Sequence, residues 1–311
     1  MKKNVLIVGG NAFVGRIFAI QASKTDEYRL HVVNRGNFPL NIDNGNVTEY
    51  KCDRHSPKAL ARLLPPDAKF DALIDFCAYN AGDIHPLLSA LSGKIKHYIY
   101  FSTASVYAPE ENADGKYCGE GGRVLSPSEL EGDVGAYVRG KIVLEKELTE
   151  ACQKENIPYT ILRPTFIYGP FNYAPRESYF IELIARHHVV PVPTDSDARF
   201  NFVYALDVSQ GLMKCVGNEK THNQIFNLAS PEPITYTRLI SDFERFNGGP
   251  FETREVTVAE ADAERLPLPF PLTGDLLYSG EKFEKTLDFQ YTPFSEGMER
   301  TFKIFYSLFT T

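Results

Sequence analysis

A tyrosine and a lysine four residues apart, Tyr137 and Lys141, have the types and the spacing needed for proton transfer. On a helix, such residues share one face about one turn apart. A free tyrosine has a pKa of about 10 and is a poor base at pH 7, but a nearby positive charge stabilises the phenolate and lowers that pKa. We therefore predict that Tyr137 moves a proton and that Lys141 supplies the charge.

The same spacing occurs again at Tyr278 and Lys282, which serves as an internal control. That match contains Gly280 and lies in a region without alternating strand and helix patterns, so we attribute it to chance. Tyr137, by contrast, begins a strongly helical segment that follows a predicted strand. The strand leads into the hydroxyl residues Ser102, Thr103 and Ser105, which could bind a substrate hydroxyl or carbonyl group. A turn whose hydroxyls satisfy the local backbone is an equally common explanation.

A glycine-rich turn near the N-terminus indicates a ligand site. Four consecutive apolar residues, 5–8, are typical of a buried parallel strand, and Gly9, Gly10 and Gly15 follow them. Glycine allows a tight turn and a close approach of ligand to backbone. The first turn of the next helix offers unpaired N–H groups and the positive end of a dipole, which bind a pyrophosphate. An ordinary strand–turn–helix also contains such glycines, but this position after a strand favours a dinucleotide site.

Alternating strand and helix patterns surround these residues. Strands are predicted at 5–8, 30–34, 47–52, 72–77, 97–102, 159–163 and 224–228, and helices at about 14–24, 57–64, 83–92, 137–152 and 205–217. This alternation predicts an α/β fold, a doubly wound parallel sheet of the Rossmann type. We predict a dinucleotide-binding domain from residues 1–169 and 201–229. Residues 170–200 and 230–311, which are irregular and rich in proline and aromatic residues, are predicted to form a smaller substrate-binding lobe.

Composition narrows the class of protein. The 311 residues are 43% hydrophobic and 23% charged, as in an ordinary soluble enzyme, and the net charge of −7 disfavours nucleic-acid binding. No apolar run reaches the roughly 18 residues of a membrane span. The five cysteines form no C-x-x-C pair, which predicts reduced thiols in a cytoplasmic protein. The seven histidines show no metal-ligand spacing, so no metal site is expected.

Several ordered blocks give the chain a family resemblance. It resembles the extended short-chain dehydrogenases/reductases of the NAD-dependent epimerase/dehydratase type. The similar blocks are the glycine motif at 9–15, the Ser-Thr-Ala-Ser-Val-Tyr block at 102–107, the Tyr137–Lys141 pair, the Leu-Arg-Pro block at 162–170 and the Phe-Val-Tyr block at 202–208. The resemblance implies a catalytic triad of Thr103, Tyr137 and Lys141. The family's middle glycine is Ala12 here, and the first of its paired acids is Leu206. A subgroup resembling chloroplast stem-loop RNA-binding proteins also varies at the middle glycine and shares a stretch similar to residues 70–79, which leaves the substrate class open.

The end of the second strand bears on the choice of cofactor. NAD sites place an acid there for the ribose 2′-OH, whereas this sequence reads Asn34-Arg35-Gly36. Arg35 could bind a 2′-phosphate or be a solvated surface charge, and we predict NADP over NAD. Asp53 is placed to bind the adenine. The residues predicted to hold the cofactor are Gly9, Asn11, Ala12, Phe13, Val14, Gly15, Asn34, Arg35, Asp53, Cys77, Ala78, Lys141 and Pro164.

The leading functional hypothesis is an epimerase, dehydratase or reductase acting on a nucleotide-sugar-like substrate. Arg176 and Arg199 could bind a substrate diphosphate or be surface charges. A reductase of an aromatic ketone or lactone is an alternative, since the small lobe is rich in aromatic residues. A non-catalytic dinucleotide-sensing or RNA-binding protein is a third. The family resemblance implies a homodimer built on the Tyr137 helix and the helix at 83–92. Apolar residues on these helices support such an interface, unless they simply cover the sheet of their own chain. They are Ile84, Leu87, Leu88, Leu91, Ile142, Leu144 and Leu148.

Overall fold

The computed structural model describes residues 2–311, so residue 1 of the predicted first domain lies outside the described residues. The strands are β1 (Lys3–Val8), β2 (Tyr28–Asn34), β3 (Val47–Lys51), β4 (Ala72–Asp75), β5 (Tyr98–Phe101), β6 (Tyr159–Pro164), β7 (Phe166–Tyr168), β8 (Val190–Pro193), β9 (Phe202–Tyr204), β10 (Gln224–Leu228) and β11 (Thr253–Val256). The helices are α1 (Phe13–Ser23), α2 (Pro57–Leu63), α3 (His85–Ala90), α4 (Gly132–Glu155), α5 (Glu177–Ala185), α6 (Ala205–Cys215), α7 (Tyr236–Asn247), α8 (Val258–Glu264), α9 (Glu281–Leu287) and α10 (Phe294–Thr310).

Seven of these strands form one sheet in the order β10-β6-β5-β4-β1-β2-β3, and all neighbouring pairs are parallel. In β1, Ile7 lies between Val32 of β2 and Ile74 of β4. The chain leaves β1 toward β2 and β3 on one side and returns to β4 on the other, which creates a crevice at the carboxyl edge. The predicted doubly wound Rossmann-type fold is confirmed.

Aliphatic residues cover the two faces of this sheet. On one face, Phe18 of α1 and Leu212 of α6 pack over Val32 and Ile74. On the other face, residues of α2, α3 and α4 pack over Leu6 and Leu73. Burying each large apolar side chain contributes about 1.5–3 kcal/mol. These two layers hold the sheet in place.

The apolar residues invoked for a homodimer lie inside this core. Ile84, Leu87, Leu88, Leu91, Leu144 and Leu148 are all fully buried, and Ile142 packs against a smaller buried cluster. They cover the sheet of their own chain, so the apolar pattern gives no support to a dimer interface.

A small lobe, made of α5, β8, α7, β11, α8 and α10, packs around aromatic rings. β8 pairs with β11 in parallel, and α10 packs on α5 and α7. The ring of Phe200 lies 5.0 Å from that of Phe270, and Phe202 lies 5.2 Å from Phe294. The short pair β7 and β9 leads into this lobe, and Tyr168 and Phe202 belong to its core.

One helix within the predicted lobe, α9, packs on the sheet instead. Phe283 is fully buried with its ring 5.3 Å from that of Phe226 in β10, and Lys282 Nζ donates a hydrogen bond to the Ile225 carbonyl at 2.8 Å. The sequence assigned this helix to residues 230–311 of the small lobe, whereas it packs in the same buried cluster as α1 and α6, on the part of the sheet near β10. Tyr278 is buried as well, which agrees with a structural role for the Tyr278–Lys282 match. We call the sheet with α1–α4, α6 and α9 the sheet lobe.

Within residues 2–311, no helix is both long and apolar enough to cross a membrane.

Candidate active site

A cleft of about 880 Å³ lies at the carboxyl edge of the sheet, where the connections that leave the neighbouring strands β1 and β4 lead in opposite directions, to β2 and to β5. The ends of β1 to β6, the start of α1, one face of α4 and the loop before α5 line it. The cleft brings together most of the predicted site residues: Gly9, Asn11, Ala12, Phe13, Val14, Gly15, Asn34, Arg35, Asp53, Cys77, Thr103, Tyr137, Lys141, Pro164 and Arg176. Ala78 and Arg199 do not line it.

The glycine-rich turn needs its glycines for two reasons. Gly9 and Gly10 have φ of +87° and +83°, in the left-handed region that favours glycine. A Cβ on Gly15 would lie 2.3 Å from the Gly10 Cα, so α1 can begin this close to β1 only without a side chain there. Ala12, in contrast, has an extended φ of −127° and is exposed. Its methyl group therefore fits at the family's middle glycine without strain.

The turn fits the phosphates of a dinucleotide. No side chain caps the start of α1 and its first turn holds no acidic residue, so its N–H groups remain available to an anion. Among the described residues, Asn11 Oδ1 is buried and has no hydrogen-bond partner. These groups suit a ligand with phosphates and ribose hydroxyls.

Lys141 is fixed beneath Tyr137. It is 2% exposed, and its Nζ donates hydrogen bonds to the carbonyls of Phe101 at 2.8 Å and Ala78 at 3.1 Å. Nζ lies 5.8 Å from the centre of the Tyr137 ring, on the same face of α4. Burial lowers the pKa of Lys141 to about 8, so the ammonium remains mainly protonated at pH 7. Ala78 thus acts through its carbonyl, from outside the cleft.

The helix that carries this pair is longer than the predicted 137–152, and packing of the buried Gly135 against Leu130 offsets the weak helical tendency of glycine there. At Gly140, a Cβ would lie only 2.4 Å from the Tyr79 carbonyl oxygen. This close approach of α4 to the loop after β4 brings Lys141 within reach of the Ala78 carbonyl.

Tyr137 stands at the mouth of the cleft with 44% of its surface exposed. The pKa of Tyr137 lies above its ordinary value, because desolvation of its hydroxyl end and the neighbouring Tyr173 raise it more than Arg176 and the nearby Thr103 hydroxyl lower it. The phenol therefore has a hydroxyl group and a cation near it, besides the Lys141 ammonium. Proton transfer through Tyr137 is the chemistry that this arrangement suits.

Thr103 fits both explanations offered by the sequence. Its Oγ1 accepts a hydrogen bond from the Ser105 N–H at 3.2 Å, which caps a short 3-10 turn (Ala104–Val106). The same hydroxyl lines the cleft next to Tyr137. A local cap thereby fixes the hydroxyl that faces the phenol.

A buried ion pair that the sequence reasoning missed supports this trio. Glu145, one turn beyond Lys141, accepts hydrogen bonds from Arg163 Nε at 2.9 Å and from Ser102 Oγ at 2.6 Å. Glu145 and Arg163 are at most 7% exposed. The pair ties α4 to the ends of β5 and β6. Its signal was present in the sequence, since residues 137, 141 and 145 repeat at the helical spacing of four.

A second buried pair, also missed, supports the end of β4. Arg54 donates two hydrogen bonds to Asp75, at 2.7 and 2.9 Å, and a third to the Asp83 carbonyl at 2.8 Å. Asp75 also accepts a hydrogen bond from the Tyr98 hydroxyl. This network holds the loop that carries Cys77. Burial raises the pKa of the Cys77 thiol to about 11, so Cys77 serves as a wall of the cleft.

The adenine end of the cleft differs from the sequence-based expectation. Arg35 is exposed, and Asp53 lines the cleft with Oδ1 accepting a hydrogen bond from the His55 N–H at 2.9 Å. The prediction of NADP rested on the lack of a carboxylate at the end of β2. The end of β2 carries no carboxylate of its own, but Glu49 of β3 places its Oε2 3.0 Å from Asn34 Nδ2.

The two arginines predicted to bind substrate have different surroundings. Arg176 lines the cleft with its guanidinium 5.6 Å from the Phe166 ring centre, and no carboxylate pairs with it in residues 2–311. Arg199 instead forms an ion pair with Asp275 at 2.6 Å, away from the cleft. The prediction for Arg199 therefore lacks support, since its charge is already neutralised.

Comparisons with known proteins identify similar sequences and folds. The sequence profile of the NAD-dependent epimerase/dehydratase family matches residues 5–229. The chain is 26% identical over 261 residues to the chloroplast stem-loop binding protein of 41 kDa b from Arabidopsis thaliana, covering 80% of this chain and 64% of that protein, which is less than two thirds of its length. It is 20% identical to UDP-glucose 4-epimerase from Vibrio cholerae, over 78% of this chain and 75% of that one.

Among solved structures, UDP-glucuronic acid 4-epimerase from Bacillus cereus, in complex with NAD, superimposes with a TM-score of 0.78. The match covers 98% of this chain and 99% of the other at 18% identity. At this identity the similarity establishes the shared fold.

Proposed function

Because the chain belongs to the NAD-dependent epimerase/dehydratase family, we propose that it catalyses the epimerisation or dehydration of a nucleotide-activated sugar, with Thr103, Tyr137 and Lys141 as its catalytic residues. The observation that carries this proposal is the arrangement of these three side chains at one end of a cleft whose other end fits a dinucleotide.

The roles follow from the surroundings of each residue. Tyr137 removes a proton from a substrate hydroxyl and later returns it, and Thr103 binds the same oxygen through its hydroxyl. Lys141, held by two carbonyls, stabilises the phenolate with its positive charge. Positioned proton transfer of this kind typically contributes about 10²–10⁴-fold in rate. A bound nicotinamide dinucleotide supplies hydride transfer to and from the sugar carbon.

The residues that would hold the dinucleotide are those of the glycine-rich turn, with Asn34 and Asp53 at the adenosine end. Arg35 supports the NADP predicted from the sequence, because it is exposed at the same end. The Glu49 carboxylate opposes that prediction.

Arg176 supports an anionic substrate group. It is a cation of the cleft with no carboxylate partner in the described part of the chain, and it lies close enough to Tyr137 to lower the phenol's pKa. A diphosphate or a sugar carboxylate would satisfy this charge.

A reductase of an aromatic ketone is a second candidate. It is favoured by Tyr173, which lines the cleft and is 76% exposed. Its reaction would consume the reduced cofactor, whereas epimerisation and dehydration of a sugar take up a hydride and give it back, so the oxidised cofactor is regenerated.

The test is a product screen with a matched pair of variants. The purified chain is incubated with NAD or NADP and a panel of UDP- and dTDP-sugars, and products are identified by NMR. We expect an epimer or a 4-keto-6-deoxy product, a loss of about 10²–10⁴-fold in Tyr137→Phe, and unchanged dinucleotide binding in that variant. Tyr278→Phe, the same change in the buried control match, should retain activity. Full activity in Tyr137→Phe would contradict the catalytic assignment. Oxidation of NADPH in a parallel incubation with an aromatic ketone would favour the reductase.

A further inference from the structure

The carboxylate of Glu49 lies where three segments of the sheet lobe meet. Its Oε2 accepts hydrogen bonds from Asn34 Nδ2 at 3.0 Å and from Asn11 Nδ2 at 3.3 Å, and its Oε1 accepts one from the Leu40 N–H at 3.2 Å. These donors belong to the end of β2, the glycine-rich turn and the loop after β2. Glu49 is exposed and does not itself line the cleft, but it contacts Asn34 and Asn11, which do, and so brings a negative charge to the edge of this corner from the neighbouring strand.

This corner is the place where doubly wound folds hold the adenosine ribose. An acid at the end of the second strand binds the ribose 2′-OH in NAD sites and repels the 2′-phosphate of NADP. Asn34 occupies that strand end, but its amide has other partners. Its Oδ1 accepts a hydrogen bond from the Gly36 N–H at 2.6 Å while its Nδ2 donates to Glu49. The acidic charge that the strand end lacks is thus present one strand further along.

We propose that Glu49 selects NAD over NADP by placing its carboxylate beside the adenosine ribose. This proposal rests on the proposed function, in that the cleft must bind a nicotinamide dinucleotide. It assigns to a residue of β3 the discrimination that the sequence of β2 does not contain.

Two cations at the same corner act in the opposite direction. Arg35 is exposed, and the stem of Lys51 packs against Gly36, with its Cδ and Cε 3.0 Å from the point that a Cβ on Gly36 would occupy. Asp53 lies near Arg35. Hydrogen bonds from His55 lower the pKa of Asp53, and the Arg35 charge lowers it further. The formal charges of Glu49, Asp53, Arg35 and Lys51 sum to zero. The preference between NAD and NADP therefore depends on which of these charged groups is held in a fixed orientation.

The Glu49 carboxylate is held by three donors, whereas the Arg35 side chain forms no hydrogen bond within residues 2–311. A charge that is already oriented acts on a ligand without a further loss of side-chain freedom. The carboxylate that hydrogen bonds orient therefore outweighs the exposed cation that none orients.

The experiment measures dissociation constants for NAD and NADP by calorimetry, so its readout is binding. We expect the wild-type chain to bind NAD at least about tenfold more tightly than NADP, and Glu49→Gln to reduce that ratio by about tenfold. Loosening of the loop would weaken the binding of both cofactors, so it should leave the ratio of their dissociation constants unchanged. Glu255→Gln removes the same charge from an exposed site on β11 and should leave the ratio unchanged. Arg35→Ala should move the ratio further toward NAD.

A rescue variant keeps the test decisive where Glu49→Gln is poorly folded. Asn34→Asp combined with Glu49→Gln restores a carboxylate at the strand end and should restore the preference for NAD. A wild-type preference for NADP, or an unchanged ratio in Glu49→Gln, would overturn the role of Glu49 while leaving the proposed function intact. Failure of the wild-type chain to bind either cofactor would overturn both.

Discussion

The sheet lobe packs aliphatic side chains between a sheet and its helices, whereas the small lobe packs aromatic rings that come from distant parts of the chain. The sheet lobe also buries charged pairs close to its cleft, such as Arg54–Asp75 and Arg163–Glu145. Directed hydrogen bonds fix the position of a catalytic group, while stacked rings fix the shape of a wall. The sheet lobe therefore holds the reactive groups, and the small lobe shapes the space in front of them.

The largest expected effect comes from removing a ring of the small lobe. Phe200 is fully buried and stacks on Phe270, so Phe200→Ala should lower the free energy of unfolding by about 3–5 kcal/mol. Dinucleotide affinity, measured below the melting temperature, should remain near the wild-type value because the glycine-rich turn belongs to the sheet lobe. Leu308→Ala, at an exposed position on α10, is the control and should change stability by less than about 0.5 kcal/mol. A loss of dinucleotide binding free energy as large as the loss of unfolding free energy would contradict the division of roles between the lobes.

A smaller loss of stability with a larger loss of activity is expected from Glu145→Gln in the sheet lobe. The change leaves the buried Arg163 guanidinium without a full negative partner, at a cost of about 3 kcal/mol. It also leaves one acceptor oxygen where Ser102 and Arg163 now use two, which loosens the link between α4 and Ser102, the neighbour of Thr103, so turnover should fall even at temperatures where the variant is folded. Chemical denaturation and steady-state kinetics measure the two effects. Exposed Glu150→Gln, on the same helix, is the control. A variant with reduced stability and normal turnover would show that the pair has no positioning role.

The smallest expected effects concern the pH dependence of the free energy of unfolding, which should differ between a residue of the sheet lobe and a residue of the small lobe. Burial lowers the pKa of His97, in the sheet lobe, to about 3, so its neutral form stabilises the fold above about pH 6.5 and this contribution is lost as the pH falls from there toward 3. Burial raises the pKa of Glu177, in the small lobe, to about 7, so its contribution is full below about pH 4.5 and is lost as the pH rises through 7.

Denaturant midpoints measured from pH 4 to pH 8 test this opposition. His97→Gln should reduce the loss of stability on the acid side, and Glu177→Gln should reduce the loss toward pH 8. Each variant serves as the control for the other. The same change in slope in both variants would contradict the assignment of the two residues to opposite limbs of the stability curve.

The sequence predicted the sheet well because each strand carries its own local signal. Residues 5–8 are apolar without interruption, and a parallel strand buried on both faces requires this. The pairing of Tyr137 with Lys141 was equally local, since helical spacing alone places them on one face.

The features that were missed depend on contacts between strands or lobes. Glu49 reaches Asn34 across the β2–β3 pair, and periodicity within either strand does not reveal where the two side chains meet. The place of α9 depended on its packing in the same buried cluster as α1 and α6, on the part of the sheet near β10. The charge of Arg199 was neutralised by Asp275, 76 positions away. Long-range partners of this kind follow from the assembled fold.

The position of α9 has a consequence for synthesis of the protein. Phe226 of β10 is covered by Phe283, so on the ribosome this side of the edge strand stays open to water until residues 281–287 have left the exit tunnel. A parallel strand that is exposed during translation invites association with other nascent chains. A fragment ending at residue 229, where the family profile ends, would retain that open face permanently. Recombinant pieces of this protein should therefore extend beyond α9 to remain dispersed.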